Sequence, residues 1–161
     1  MEHSKDEIWS LIKDIPDPEI PVITIEELGV LRDIELDEED VRVVITPTYT
    51  GCPAMRLFED EIMKVLNENG IRASIKTVYA PAWTTDWITD SAKEKLRKAG
   101  IAPPQGKSFD KSSLTGADKK IKCPICGSHN TKMVSQFGST ACKALYQCQD
   151  CQEPFDYFKC I

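Results

Sequence analysis

Val41-Arg42-Val43-Val44-Ile45-Thr46-Pro47-Thr48-Tyr49-Thr50-Gly51-Cys52-Pro53-Ala54-Met55 is the stretch on which the fold turns. Its first five residues are rich in β-branched side chains and favour an extended strand. From Met55 onward the apolar residues Met55, Phe58, Ile62, Val65 and Leu66 recur on one helical face. Pro53 suits the first helical position, where its missing N–H would have no intrahelical partner. That arrangement predicts Cys52 at the N-cap, facing free N–H groups and the positive end of the helix dipole. A thiolate is stabilised there, which predicts a reactive or metal-binding sulfur. A cysteine taken in isolation is more often a plain core residue. The strand–Gly–Cys–Pro–helix context singles Cys52 out.

Upstream, Asp37-Glu38-Glu39-Asp40 reads as a hairpin turn. It joins Val41–Ile45 to an antiparallel strand from Val30 to Leu36, with Val30, Ile34 and Leu36 on one face. Thr24 to Leu28 forms a short helical turn stopped by Gly29. A first helix starts at Ser4, carries Asp6 and Glu7 in its first turn, and repeats Ile8, Leu11, Ile12 and Ile15 at helical spacing until Pro16 ends it. Pro16, Pro18 and Pro21 then hold an extended, stiff loop that presents Asp17 and Glu19 two residues apart. Two readings stay open for that pair: a solvated proline-rich connector, or a rigid mount for carboxylates that assist an iron or cluster site.

Downstream, Asn69-Gly70 caps the central helix, and Ile71 to Tyr79 alternates as a third strand. The order α-β-β-α-β predicts an α+β domain, a small three-stranded sheet with helices packed on one face. Trp83 and Trp87 lie four apart, so they either cover that sheet or form a contact surface. Their position before a linker predicts the contact surface. Asp90 caps a short helix ending at Gly100, and residues 101–122 are rich in Pro, Gly, Ser and Lys, as a linker is. The expected domains are therefore 1–100, a linker 101–122, and a module 123–161.

The last module is built on Cys123-Pro124-Ile125-Cys126-Gly127 and Cys148-Gln149-Asp150-Cys151. Two such knuckles supply the four thiolates of a tetrahedral site, with the spacing of a zinc ribbon. Four cysteines also suit iron, so the metal stays open between the two. A module this short needs its metal for much of its folding free energy. Cys142 and Cys160 are left over, as substitute ligands, a thiol pair or core residues.

The 161 residues carry a net charge of −6, unevenly spread. Residues 1–100 hold 12 Lys/Arg against 21 Asp/Glu, and residues 101–161 hold 8 against 5. An acidic body argues against nucleic acid as the main partner, and the basic tail leaves it open only for the second module. No apolar run approaches the ~18 residues of a membrane span. The polar start is unlike a secretory signal, and seven cysteines without one are expected in a reducing, cytoplasmic setting. His3 and His129 both lie outside the Cys52 motif, so a thiol enzyme lacks a local base.

Asp17-Pro18-Glu19-Ile20-Pro21, Leu28-Gly29 and Thr46 to Pro53 together resemble the iron–sulfur-assembly-type domain of SufT-like proteins. Pro81 to Trp87, Phe137 to Tyr146 and Glu153 to Ile161 resemble the PaaD (PaaJ) family, small subunits encoded with phenylacetyl-CoA epoxidase, a multicomponent di-iron monooxygenase. The resemblance spans nearly the whole chain outside the linker. It implies a role in phenylacetate degradation, as a maturation factor for the iron–sulfur or di-iron centre of the epoxidase or its reductase. A non-catalytic structural component bridging the parts of the oxygenase is the alternative it implies. By resemblance, the reactive thiol falls on Cys52, the acidic loop residues on Asp17 and Glu19, and the zinc ligands on Cys123, Cys126, Cys148 and Cys151. Cys52 would hold iron or a cluster transiently, while the ribbon zinc is structural. Whether the chain forms a homo-oligomer is left open.

Overall fold

The first helix begins where the sequence supplies its cap. In a computed structural model that describes residues 3–38, 40–105 and 120–159, the Ser4 hydroxyl accepts from the Glu7 N–H at 3.2 Å. The Glu7 carboxylate accepts in turn from the Ser4 N–H at 2.9 Å. This reciprocal box satisfies two donors of the first turn and starts α1 (Lys5–Ile12). Thr24 and Glu27 repeat the device at α2 (Ile25–Leu28), which Gly29 ends with a φ of 81°.

β1 (Leu31–Leu36) and β2 (Val41–Ile45) pair antiparallel, with Leu36 opposite Val41 and Leu31 opposite Ile45. The register shifts between Leu31 and Asp33, and such a bulge resets the alternation of faces. Leu31 and Ile34, three apart, are therefore both buried, while Leu36 at the strand end is exposed rather than sharing the inward face of Ile34. After β2, α3 (Ala54–Glu68) carries the chain across, and β3 (Ala73–Thr77) joins β2 in parallel. The sheet order is β1-β2-β3. Strand β3 starts later than its hydrophobic pattern suggests because the Ile71 N–H is held by the Leu66 carbonyl at 2.9 Å, closing the helix end.

α3 buries Ala54, Phe58, Ile62 and Leu66 and packs beside α1, which buries Ile8 and Ile12, and beside β3, while Ile34, Val43 and Ile45 of the sheet are buried as well. Each of these side chains larger than Ala54 contributes about 1.5–3 kcal/mol by leaving water, so this first unit has a core of its own. The chain divides into two compact units, Met1–Trp83 and Thr84–Ile161. Trp83 belongs to the first of these cores: it is 4% exposed, and its indole N–H donates to the Leu28 carbonyl at 2.9 Å. The contact-surface expectation therefore does not hold for Trp83, because the end of α2 offers its N–H a buried acceptor.

In the second unit a 3-10 turn, Thr85–Trp87, leads to α4 (Asp90–Lys98). Thr89 caps α4, its hydroxyl accepting from the Ala92 N–H at 3.2 Å, with Asp90 in the first turn where its charge suits the dipole. β4 (Ile101–Ala102), β5 (Thr131–Ser135), β6 (Lys143–Cys148) and β7 (Pro154–Phe158) form a second sheet in the order β4-β7-β6-β5. The segment read as linker thus gives its first two residues to this sheet, Ile101 opposite Asp156 and Ala102 opposite Tyr157. Residues 106–119 of that expected linker, and Cys160, lie outside the described residues.

Ala102, Ile121, Ala144, Tyr146, Phe155 and Tyr157 are buried together with Cys123 and Cys148. Tyr146 stacks on Phe155 at 5.9 Å between ring centroids and meets Tyr157 edge-on at 5.6 Å. Among the described residues no helix is long and apolar enough to cross a membrane.

Candidate functional site

The loop from β2 to α3 is pinned before it reaches Cys52. Thr46 is buried, its N–H donating to the Val30 carbonyl at 3.0 Å and its hydroxyl to the Val78 carbonyl at 2.7 Å. Gly51 then turns the chain with a φ of 82°, a conformation costly for a side-chain-bearing residue. The Cys52 N–H donates to the Tyr49 carbonyl at 3.2 Å, and the Cys52 carbonyl accepts from the Met55 N–H at 3.3 Å. The helix opens at Ala54 with Pro53 at its N-cap, already in helical conformation and without a side-chain cap bond. Cys52 therefore sits one residue farther out than expected, because Pro53, with φ preset near its helical value, takes the boundary. Its side chain is half-buried.

The acidic loop has a different use for Asp17 than the sequence suggests. Asp17 is buried, and one of its carboxylate oxygens accepts from the Glu19 N–H at 2.7 Å and the Ile20 N–H at 2.9 Å. This Asx-type turn folds the loop back, and the Asp17 N–H meets the Ile23 carbonyl at 2.9 Å. Asp17 and Glu19 are thus not paired along an extended segment. Among the described residues, Cys52, Asp17 and Glu19 do not converge as a ligand set.

The four knuckle cysteines do converge. Cys123, Cys126, Cys148 and Cys151 offer sulfurs that all lie within 4.8 Å of one another. Cys123 and Cys151 are 3.8 Å apart, and Cys126 and Cys148 are 3.5 Å apart. A tetrahedron with Zn–S bonds of about 2.3 Å has S···S edges of about 3.8 Å, so the donor set fits such an ion. Gly127 turns the first knuckle with a φ of 78°, and Gln152, which sequence reasoning passed over, does the same for the second at 65°. The Ile125 N–H points at the Cys123 sulfur at 3.4 Å. Asp150 ties the two knuckles, accepting from the Ser128 hydroxyl and, at 2.9 Å, from the Asn130 amide. Those two donors hold the Asp150 carboxyl below its ordinary range.

The thiols share protons unevenly. The Cys151 N–H draws the Cys148 thiol down to about 7. Cys151 is lowered by the Glu153 N–H but carried up to about 12 by burial and by hydrogen bonds to its neighbouring sulfurs. Cys126 is lowered by the Ser128 N–H, yet its bond to Cys148 and burial leave it raised. A cluster in which Cys126 and Cys151 are pushed towards their protonated forms is completed by a cation that replaces those protons. Cys142 is not part of the set: it is buried, with its sulfur 2.9 Å from the Thr140 hydroxyl.

Residues 107–159 match the model of the PaaD zinc beta ribbon domain, and residues 5–70 that of an iron–sulfur cluster assembly protein. The chain is 47% identical over 156 residues to the D-lettered component of the "Putative 1,2-phenylacetyl-CoA epoxidase" of Escherichia coli (strain K12), covering 96% of this chain and 92% of that one. It is 30% identical over 95 residues to the "Fe-S protein maturation auxiliary factor YitW" of Bacillus subtilis (strain 168), covering 57% of this chain and 92% of that one. Among solved structures, a DUF59 domain from Bacillus anthracis superposes with a TM-score of 0.53 at 25% identity, over 57% of this chain and 90% of its own. A conserved hypothetical protein from Thermotoga maritima shares the fold at a TM-score of 0.50 and 21% identity, over 59% of this chain and 95% of its own.

Proposed function

The chain belongs to the PaaD family of phenylacetyl-CoA epoxidase components, and from that premise we propose that it matures the metal centre of the epoxidase or of its reductase. In this reading Cys52 takes up iron or a cluster as cargo and hands it on. The ribbon holds zinc through Cys123, Cys126, Cys148 and Cys151 and docks on the client. The carrying observation is that Cys52 is a half-buried thiol on a pinned loop, outside the four-cysteine set. A thiol so placed is free to exchange a ligand, whereas the clustered thiols are committed to one another. Asp17 acts here by shaping its loop, its carboxylate holding the Glu19 N–H, and Glu19 is half-buried beside it.

The test is an epoxidase assay in cells whose only copy carries Cys52→Ala, with iron and sulfide measured on the purified epoxidase components. At least a tenfold loss of activity and of iron, at normal levels of the variant chain, is expected. Wild-type activity and metal content would overturn the reading. The Escherichia coli relative is named as part of the epoxidase itself, which favours a second reading, a non-catalytic bridge between components. Stoichiometric co-purification with active epoxidase, insensitive to Cys52→Ala, would select it.

A further inference from the structure

Beside the first knuckle the second unit holds a cavity of about 300 Å³ whose walls include Arg97, Pro103, Gln105, Lys122, Pro124 and Ile125. Its apolar side is prolines and Ile125, which is 55% exposed. Its polar side is cationic. The Lys122 stem runs over Gly127, its Cε 3.7 Å from where a Cβ would stand there, and its ammonium has no ion-pair partner among the described residues. Arg97 binds Glu94 through Nε at 2.9 Å and Nη2 at 2.6 Å, which leaves Nη1 for another acceptor. The Gln105 side-chain oxygen Oε1 accepts from the Lys122 backbone N–H at 3.2 Å and ties those two walls together.

Charge sets the occupant. Residues 84–161 carry 12 Lys/Arg and 8 Asp/Glu, a net +4, while residues 1–83 carry 8 and 18, a net −10. A cationic hollow on the unit that is itself basic attracts carboxylates and repels a basic segment. Among the described residues no aromatic side chain lines it, so those walls offer no stacking platform of the kind single-stranded nucleic acid uses.

We infer that this hollow is the docking site for an acidic, apolar-flanked segment of the epoxidase partner: a carboxylate held by Lys122 and Arg97, and a neighbouring aliphatic side chain laid on Pro103, Pro124 and Ile125. This rests on the ribbon as the docking arm of the maturation reading and names the chemistry of what it docks.

The experiment is biolayer interferometry of the zinc-loaded full chain on the purified oxygenase component of the epoxidase, in 50 and 300 mM NaCl. Binding at low salt that weakens at least tenfold at high salt is expected, since exposed charge pairs are screened. Lys122→Glu and, separately, Arg97→Glu should each weaken binding at least tenfold, with Lys122→Arg close to wild type and zinc content unchanged in all three. Arg97 is remote from the ligands in sequence, so its variant serves if Lys122→Glu disturbs the knuckle. Equal affinity in both charge-reversed variants, absence of binding at 50 mM NaCl, or displacement of the partner by a single-stranded 20-mer oligonucleotide would overturn the inference. Cys52→Ala should bind as wild type, so loss of docking and loss of maturation are read separately.

Discussion

The two cysteine sites differ in what the surrounding chain does without them. Around Cys52 the fold is already complete: Ile8, Ile12, Ile34, Val43, Phe58 and Ile62 form an apolar core of buried side chains, and the half-buried thiol is not among them. In the ribbon, Cys123 and Cys148 are themselves core residues, buried among Tyr146, Phe155 and Tyr157. One unit presents its sulfur; the other is assembled around its sulfurs. A cysteine becomes available for exchange chemistry where apolar burial has made it unnecessary for stability.

The sharpest way to break that contrast is to remove the metal. Cys148→Ser, or chelation, should abolish about one zinc per chain and unfold the ribbon, because a structural zinc site of this type contributes on the order of 10 kcal/mol. Amide signals of residues 3–83 should persist while those of residues 120–159 collapse. Full zinc retention by Cys148→Ser would place Cys142 or Cys160 among the ligands.

Acid should act on the ribbon in the same direction. Zinc must displace the protons of Cys126 and Cys151, both raised, and below about 7 that of Cys148 as well. More protons compete as pH falls, so zinc affinity drops with falling pH, by at least about a hundredfold per unit below neutrality. Competition with a chromogenic chelator at pH 8, 7 and 6 measures the slope; a slope near zero would mean the thiols are not the ligands.

Within the first unit, Trp83→Ala should cost about 3–5 kcal/mol, as large-to-small changes in a core do. Trp83→Phe should cost about 1–2 kcal/mol for the lost N–H bond to Leu28. Both are read by urea titration of far-UV ellipticity. A smaller loss, about 1–3 kcal/mol, is expected for Asp17→Ala, which leaves the Glu19 and Ile20 N–H groups unpaired. Asp17→Asn keeps the accepting oxygen and should stay within about 1 kcal/mol; if it nonetheless abolishes maturation, the Asp17 charge serves the cargo. The smallest effect is reserved for Cys52→Ala, within about 1 kcal/mol by the same titration. A larger loss would put Cys52 back in the core and erase the contrast.

What could be read from sequence was what is local. The periodicity of α3, the strand run of β2, the turn at Asp37–Asp40 and the CxxC spacing each depend on residues a few positions apart, and each is present in the structure. The misreadings have nonlocal or competing causes. Trp83 looked like surface because its acceptor, the Leu28 carbonyl, lies 55 residues away. Ile101–Ala102 looked like linker because their partner strand is β7. Asp17 looked like a free carboxylate because an extended loop and an Asx turn share the same residue preferences. Pro53 is compatible with either side of a helix boundary, which moved Cys52 by one position. Gln152 had no signal at all, since a positive φ at a residue other than glycine is announced by no spacing.

The pairing of β4 with β7 also fixes an order of assembly. Residue 101 finds residue 156, so the second sheet closes a long loop and is completed only when Phe158 has been synthesised. The first unit is complete at Trp83. At about 5–20 residues per second, translation separates the two events by roughly 4–15 s. High contact order slows the later one further. During that interval the nascent chain displays a folded acidic unit and an incomplete set of knuckle thiols, so a metal bound by all four cysteines is captured after the Cys52 loop is already in place.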